Sequence, residues 1–254
     1  MQYHLDTIPV WDALKADCAC PLCKLEKKCE ADQIDYTLGG SVMEPDVRIR
    51  VNDIGFCQKH HQMLYDKNNR LGHALLCDSH SLEVLEKIRR AAKPLSTEKK
   101  PARLFAKSSG LALAADQLEA IISECVVCQT IQQHMNRYLY TFVHLWSHDK
   151  EFRTLWEEKG SLCLPHTVQL LRCAQDHLSE GKKEEFGENL LSTLEKGLST
   201  DEKDLEWFTK KFDYRNQNKP WGNSKDAIER TVNRLRGHCL GADPAAEPPT
   251  GPNR

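Results

Sequence analysis

Four pairs of cysteine and histidine recur along the chain, each with two residues between its members. They are Cys20-Pro-Leu-Cys23, Cys57-Gln-Lys-His60, Cys125-Val-Val-Cys128 and Cys163-Leu-Pro-His166. Thiolate and neutral imidazole are common zinc donors, and two donors three residues apart can reach one ion from a knuckle or from the first turn of a helix. The pairs therefore indicate metal binding.

The pairs also repeat in register. Both Cys-x-x-Cys pairs are offset by 105 positions and both Cys-x-x-His pairs by 106, and residues 44–51 align with residues 149–156 at the first offset. Chance cysteines would not keep this register, so we infer an internal duplication. Each half then supplies one Cys₃His shell of the kind typical of structural zinc, which predicts two Zn²⁺ per chain. The predicted shells are Cys20, Cys23, Cys57 and His60 in the first half, and Cys125, Cys128, Cys163 and His166 in the second.

Prolines and glycines beside these pairs indicate how the ligands are positioned. Pro21 follows Cys20, and proline is favourable at the first position of a helix because no amide donor is lost there. Gly55 and Pro165 allow the same arrangement for the Cys-x-x-His pairs. We expect each ion to lie between two helix N-termini, whose positive ends favour thiolate over thiol.

Other cysteines and histidines lack a counterpart in the repeat. The repeat aligns His60, and not His61, with His166. Cys77 and His80 form a further Cys-x-x-His pair, and their role stays open together with that of His61. We expect core or surface positions for the rest, namely Cys18, Cys29, His144, His148, Cys173, His177 and Cys239.

Three other chemistries compete with structural zinc. Cysteine-rich quartets can hold iron–sulfur clusters, and a zinc ion with an open position would support an enzyme. A thioredoxin-like redox pair needs a strand–helix context that the sequence lacks. Both predicted shells are complete, which favours structural zinc and leans away from an enzyme. Glu26 and Glu124 lie beside ligands, and we expect them to be solvated.

The sequence predicts that these residues all lie on or beside helices. Apolar residues recur at steps of three and four from Leu111 to Trp146 and in several shorter stretches, which is helical periodicity. The alternation of Val47, Ile49 and Val51 is too short to indicate a sheet. The sequence predicts an all-α, internally duplicated helical bundle with two pseudo-symmetric metal sites.

Breaks in this pattern divide the chain. Residues 93–110 contain two prolines, a charge run and a Ser-Ser-Gly end, and predict a linker. The resulting segments are a metal-binding repeat at 1–92, the linker at 93–110, a second repeat at 111–205, an aromatic segment with a terminal helix at 206–240, and a disordered tail at 241–254. Aromatic residues in 206–223 are expected to clamp the terminal helix, or to form a ligand pocket with Asp213, Arg215 and Lys219.

Composition limits the classes of function. Lys and Arg total 35 against 37 for Asp and Glu, so the chain lacks the excess of basic charge that nucleic-acid binding usually needs. This composition disfavours a nucleic-acid-binding function. No run of about 18 apolar residues predicts a membrane span. Eleven cysteines without a signal-peptide pattern indicate a reducing, cytoplasmic location.

The motifs also carry a family resemblance. Cys20-Pro-Leu-Cys23, Gly55-Phe-Cys57-x-x-His60, the second pair of motifs and the late segment Lys-Phe-Asp-Tyr-Arg-Asn resemble an uncharacterised bacterial domain-of-unknown-function family. Val126 and Val127 depart from the proline that is common after the first cysteine of the second motif. The resemblance implies a metal-binding helical fold and no reaction. We therefore expect a zinc-binding protein that binds a protein or small-molecule ligand, or acts as a scaffold; an iron–sulfur or zinc-dependent redox enzyme and a nucleic-acid-binding zinc module are the alternatives.

Overall fold

The chain is built from α-helices. The structure, a computed structural model, describes residues 6–97 and 110–244, and it contains no β-strand within these ranges. The prediction of an all-α fold is confirmed. The helices of the described ranges are α1 (Thr7–Lys15), α2 (Pro21–Leu38), α3 (Pro45–Ile54), α4 (Gln58–Asp66), α5 (Arg70–Thr97), α6 (Gly110–Ile122), α7 (Val126–His148), α8 (Lys150–Lys159), α9 (Leu164–His177), α10 (Glu180–Lys210) and α11 (Ala227–Arg236).

The helix boundaries differ from the predicted segments in three places. The periodic run from Leu111 to Trp146 forms two helices, because residues 123–125 interrupt it. α5 continues to Thr97, inside the segment predicted as a linker, and residues 98–109 of that segment lie outside the described part of the chain. α10 crosses position 205 and includes the start of the aromatic segment. Residues 245–254 of the predicted tail also lie outside the described residues.

The helices form two compact units. One unit comprises Met1–Cys29 and His134–Arg254, and the other comprises Glu30–Gln133. We call them the outer unit, because it contains both ends of the chain, and the inner unit. The boundaries fall within α2 and α7, so neither unit coincides with one of the predicted repeats.

Aromatic side chains fill the core of the outer unit. Phe142 packs edge-to-face on Phe152 and Trp156, with ring centroids 5.2 and 5.1 Å apart. Trp146 packs in the same way on Phe186 at 4.8 Å. All five rings are fully buried, and each contributes about 1.5–3 kcal/mol through burial alone. This cluster fixes α7, α8 and α10 against one another.

The inner unit has an aliphatic core. α3 packs on α5, and α5 packs on α4 and α6. The buried apolar side chains of the inner unit include Ile34, Val42, Val51, Leu64 and Leu76. Helix α4 is held against α5, and the first turn of α4 contains His60.

Helix α11 is fastened by a buried carboxylate. Asp201 on α10 accepts hydrogen bonds from Arg230 Nη1 at 2.7 Å and Arg234 Nε at 2.5 Å. Arg234 also donates to Ser161 Oγ at 2.9 Å and to the carbonyl of Leu162 at 3.2 Å. One guanidinium thus joins α10 and α11 to the residues that precede α9.

Candidate metal centres

All four predicted pairs lie at helix N-termini. In each pair the first cysteine immediately precedes the helix, and its carbonyl accepts the amide four residues later, at 2.9–3.2 Å. The second ligand lies in the first turn. This confirms the predicted placement for α2, α4, α7 and α9, including α7, which has no proline near its start.

A backbone contact replaces the missing proline at α7. Gly55 ends α3 with a positive φ of 72°, which a side chain would strain. Its carbonyl accepts the amide of Val126, the first residue of α7, at 3.0 Å. The same turn leads into Cys57 two residues later. One glycine turn therefore positions both ligand pairs of the inner unit.

The outer unit contains a buried ligand cluster that we call cluster 1. It consists of Cys20, Cys23, Cys163 and His166, whose donor atoms all lie within 4.8 Å of one another. His166 Nδ1 is 3.1 Å from Cys163 Sγ, 3.4 Å from Cys23 Sγ and 3.6 Å from Cys20 Sγ. All four side chains are buried.

The inner unit contains a second set, cluster 2. It consists of Cys57, His60, Cys125 and Cys128, also within 4.8 Å of one another. His60 Nδ1 is 3.2 Å from Cys57 Sγ and Cys125 Sγ and 3.4 Å from Cys128 Sγ. Cys128 is exposed and Cys57 is partly exposed, so cluster 2 is more accessible to solvent than cluster 1.

The predicted pairing of the ligands is wrong. The repeat predicted that Cys20 and Cys23 share an ion with Cys57 and His60, but the structure places Cys20 and Cys23 with Cys163 and His166. Each cluster takes a Cys-x-x-Cys pair from one predicted repeat and a Cys-x-x-His pair from the other. All eight predicted ligands are brought into clusters, and both clusters keep the Cys₃His composition. His60, and not His61, lies with the three cysteines of cluster 2.

The spacing of the donors suits a single tetrahedral ion. Zn–S bonds of about 2.3 Å and Zn–N bonds of about 2.0–2.1 Å give tetrahedral edges of about 3.6–3.8 Å. The S–S separations are 3.6 Å for Cys23 and Cys163 and 3.9 Å for Cys57 and Cys128. Disulfide bonding is not the explanation, because every cysteine is a free thiol.

Electrostatics within the clusters favour a cation. Burial opposes charge on His166, but contacts with the sulfurs of Cys163 and Cys20 raise its pKa to about 10. In cluster 2, burial again opposes charge, but Cys125 and Glu30 raise the pKa of His60 to about 9. Burial would raise the pKa of Cys125, yet its hydrogen bond with His60 lowers it to about 6.

Two other thiols of the clusters, those of Cys128 and Cys23, have raised pKa values. Burial and the neighbouring Cys125 raise the pKa of Cys128 to about 12, and hydrogen bonds with Cys163 and Cys20 raise that of Cys23 well above its ordinary value. In cluster 2 the raised pKa of His60 and the lowered pKa of Cys125 therefore favour an imidazolium beside a thiolate. A divalent ion would allow several thiolates to coexist with a neutral imidazole, with release of protons.

A carboxylate lies close to the outer ring nitrogen of each histidine, and the closer of the two, Glu30, was not among the residues predicted from the sequence. His60 Nε2 is 3.1 Å from Glu30 Oε1, and the Glu30 side chain is only 6% exposed. Lys59 forms an ion pair with the same oxygen. A carboxylate on the outer nitrogen orients a metal-binding imidazole and strengthens it as a ligand. Helical spacing after Cys23 places Glu30 two turns inside α2, which by itself gave no reason to select it.

Cluster 1 has a looser version of the same contact. Glu26 Oε2 lies 3.7 Å from His166 Nε2, and its side chain is 44% exposed. Glu26 is thus only about half solvated, whereas the sequence predicted a solvated side chain. The other glutamate considered, Glu124, is exposed and accepts a hydrogen bond from Gln129 at 2.9 Å.

A cleft borders cluster 1 in the outer unit. It has a volume of about 630 Å³, and Cys20, Cys23 and Cys163 form part of its wall. The segment after α11 forms another part, and the amide of His238 donates to Cys23 Sγ at 3.4 Å. Gly237 makes this turn with a φ of 81°. Cluster 1 therefore borders a cavity of the size used for small ligands.

The aromatic segment forms a cluster of its own. Phe208 packs against Phe212 and Trp221, and the buried ammonium of Lys211 donates to the carbonyls of residues 216, 217 and 219. Asp213 and Arg215 pair with each other at 2.6 Å on the surface. Asp201 on α10 contributes to the contacts that hold α11 by accepting hydrogen bonds from Arg230 and Arg234.

The described residues contain no helix that is both long and apolar enough to cross a membrane. No curated protein and no solved structure shows significant similarity to the chain. A family model described as a family of unknown function (DUF6062) matches residues 1–242. The motif-based resemblance is thus confirmed at the level of the family. With two Cys₃His clusters on an all-α scaffold, the chain belongs to DUF6062, a family of unknown function.

Proposed function

We propose that this protein binds two structural zinc ions, one in cluster 1 and one in cluster 2, and serves as a binding or scaffold protein and not as an enzyme at these two sites. The observation that carries the proposal is the presence of four protein donors at single-ion spacing in each cluster. Four donors complete a tetrahedral shell and leave no position for a substrate, which is the pattern of structural zinc.

The spacing favours one ion over an iron–sulfur cluster. A cluster of several irons distributes its ligands over more than one metal atom, usually through four cysteines. In cluster 1 all four donors converge within 4.8 Å, and His166 Nδ1 lies within 3.6 Å of every sulfur. Three thiolates and one imidazole at these separations match zinc, and the ions would join helices that are distant in sequence.

The binding role is supported by the cleft beside cluster 1. Its wall combines the edge of the metal centre with cationic and polar side chains, including Lys24, Asn233 and His238. A volume of about 630 Å³ suits a small molecule or a short peptide side-chain group. We propose this cleft as the ligand site of the outer unit.

The thiol chemistry supports a reducing location. Six of the eleven cysteines belong to the two clusters, and none of the eleven forms a disulfide. Thiolates bind zinc only while they stay reduced, so we propose that the protein acts in the cytoplasm.

Metal analysis tests the zinc proposal. We expect protein purified without added metal to contain at least two zinc ions per chain and to show no visible absorption band. Cys163→Ser and Cys57→Ser should each remove one ion and lower the melting temperature. Cys173→Ser is the matched control, since Cys173 is a partly exposed cysteine of α9 outside both clusters. Iron with a brown colour would refute the proposal, as would zinc-free protein with unchanged melting.

The cleft is tested separately with His238→Ala. The substitution keeps the backbone amide that donates to Cys23, so zinc content should not change. Native mass spectrometry of the untreated protein should show a retained ligand that the variant loses. Equal masses beyond zinc in both proteins would argue against a ligand site in the cleft.

A further inference from the structure

Three donors outside the two clusters converge in the inner unit. His61, His73 and Cys77 place their donor atoms within 4.8 Å of one another. His61 Nδ1 lies 3.1 Å from His73 Nε2. We call this group cluster 3.

Two helices supply these residues. His73 and Cys77 are four residues apart on α5 and therefore share one face of that helix. His61 lies on α4, directly after His60, and points to α5 while His60 points into cluster 2. α4 thus carries one ligand of cluster 2 and one member of cluster 3 on adjacent residues.

Neighbouring contacts fix the geometry of cluster 3. Asn69 caps α5, because its side-chain oxygen accepts the amide of Gly72 at 3.0 Å and its carbonyl accepts the amide of His73 at 3.1 Å. Phe56 packs edge-to-face on His61 with centroids 5.4 Å apart. The cap therefore fixes the backbone at His73, and the ring contact with Phe56 fixes the imidazole of His61.

The separations match those around a metal ion. Two nitrogens at about 2.0–2.1 Å from a tetrahedral zinc are about 3.3 Å apart, close to the distance between the two imidazole nitrogens. A mixed set of imidazole and thiolate donors suits zinc, a borderline ion, better than magnesium or calcium. Clusters 1 and 2 each have four donors, but cluster 3 has three, and all three side chains are partly exposed.

We propose that His61, His73 and Cys77 bind a third zinc ion, which keeps one coordination position open to water or another small donor. Three protein ligands with an exchangeable fourth position are the arrangement of reactive zinc sites. His80 lies on the same face of α5, one turn beyond Cys77, and its Nδ1 donates to the carbonyl of Asn52 at 2.8 Å. Its Nε2 packs against Gly55, where an added Cβ would stand 2.5 Å from it, so His80 is held by α3 and the turn after it and is not counted among the ligands.

Cobalt substitution provides the test. The full chain is stripped of metal and titrated with Co²⁺, and bound cobalt is counted after gel filtration. We expect three ions for the natural chain and two for Cys77→Ser and for His73→Gln. Cys173→Ser is the matched control, because Cys173 also has a histidine four residues away on one helix, His177, at 3.8 Å, but no third donor among the described residues. This variant should keep three ions.

The open position gives a second readout. Azide should shift the visible cobalt bands of the natural chain and of Cys173→Ser, because only an ion with an exchangeable position can bind it. The shift should disappear in Cys77→Ser and in His73→Gln, while circular dichroism shows that both remain helical. An equal cobalt count in the natural chain and the cluster 3 variants, or no azide shift in the natural chain, would overturn the proposal and leave a hydrogen-bonded histidine pair.

The outcome is distinguishable from failure of the two structural sites. If clusters 1 and 2 do not bind metal, the natural chain will contain fewer ions, and its metal count will not change in Cys57→Ser or Cys163→Ser. Loss of cluster 3 alone would leave two ions, both sensitive to those substitutions.

Discussion

The exchanged pairing of ligands makes a sharp prediction about double substitutions. Cys23 and Cys163 belong to cluster 1, with their sulfurs 3.6 Å apart, whereas Cys57 belongs to cluster 2. Replacing Cys23 and Cys163 together by serine should therefore cost one zinc ion per chain. Replacing Cys23 and Cys57 together should cost two.

The stability effects follow the same logic. A structural zinc ion contributes roughly 10–16 kcal/mol in small zinc-finger peptides at neutral pH, which is comparable with the whole stability of a typical domain, roughly 5–15 kcal/mol. Once Cys23→Ser has released the ion of cluster 1, the addition of Cys163→Ser should lower the melting temperature only slightly. The addition of Cys57→Ser should instead lower the melting temperature again by about as much as Cys23→Ser did, because the two clusters lie in different units.

Zinc per folded chain, measured by mass spectrometry of the metal after gel filtration, checks the prediction together with calorimetric melting. The three single variants provide the reference values for each double variant. The reverse result, two ions lost in Cys23→Ser/Cys163→Ser and one lost in Cys23→Ser/Cys57→Ser, would refute the pairing seen in the structure and restore the pairing within each repeat.

Three further predictions concern accessibility, the carboxylates and the fastening of α11. A chelator or mild oxidant should remove the ion of cluster 2 before that of cluster 1, because Cys128 is exposed whereas every cluster 1 ligand is buried; equal release rates would contradict this. Glu30→Gln should weaken zinc binding in cluster 2 by about 10–100-fold in a competition titration, and Glu26→Gln should weaken cluster 1 much less, since Glu26 is farther from its histidine and more exposed. Asp201→Asn should destabilise the outer unit by roughly 3–5 kcal/mol in urea unfolding, because it leaves Arg234 without its buried partner; a loss below about 1 kcal/mol would mean that the pair is not structural.

The helical architecture and the placement of the ligands were accessible from sequence because both depend on local features. Apolar periodicity determines the helix type, and a proline such as Pro21 marks a helix start beside its cysteine. At α7, where Val126 stands in place of proline, the start depends on a hydrogen bond from a residue 71 positions earlier, Gly55. Local sequence cannot report such a contact.

The pairing was not accessible for a different reason. A repeat shows which residues correspond, but it does not show which residues touch. Ligand sets within one repeat and ligand sets exchanged between repeats have the same composition, so Cys₃His patterns fit both. Only the packing that puts the starts of α2 and α9 together, and those of α4 and α7 together, decides between them.

Residues behind the ligands were missed because their role arises from tertiary packing alone. Glu30 has no distinctive spacing from Cys20 or Cys23, and it becomes relevant only where α2 passes the outer nitrogen of His60. His73 was likewise unremarked, although a histidine four residues before Cys77 on a predicted helix is a signal that could have been used.

The exchanged pairing also imposes an order on folding during synthesis. Cluster 2 needs chain segments 65 residues apart, from His60 to Cys125, whereas cluster 1 joins Cys23 and Cys163 across 140 residues. The difference in closure entropy is only about 0.7 kcal/mol, so it does not decide the final state. Timing does: Cys20 and Cys23 leave the ribosome long before Cys163, and the first Cys-x-x-His pair made after them is Cys57 with His60. A zinc ion captured at that stage would bind Cys20, Cys23, Cys57 and His60, which is the ligand set predicted from the sequence. It would have to be released before the two clusters of the structure can form. Low free zinc during synthesis should therefore raise the yield of correctly paired protein.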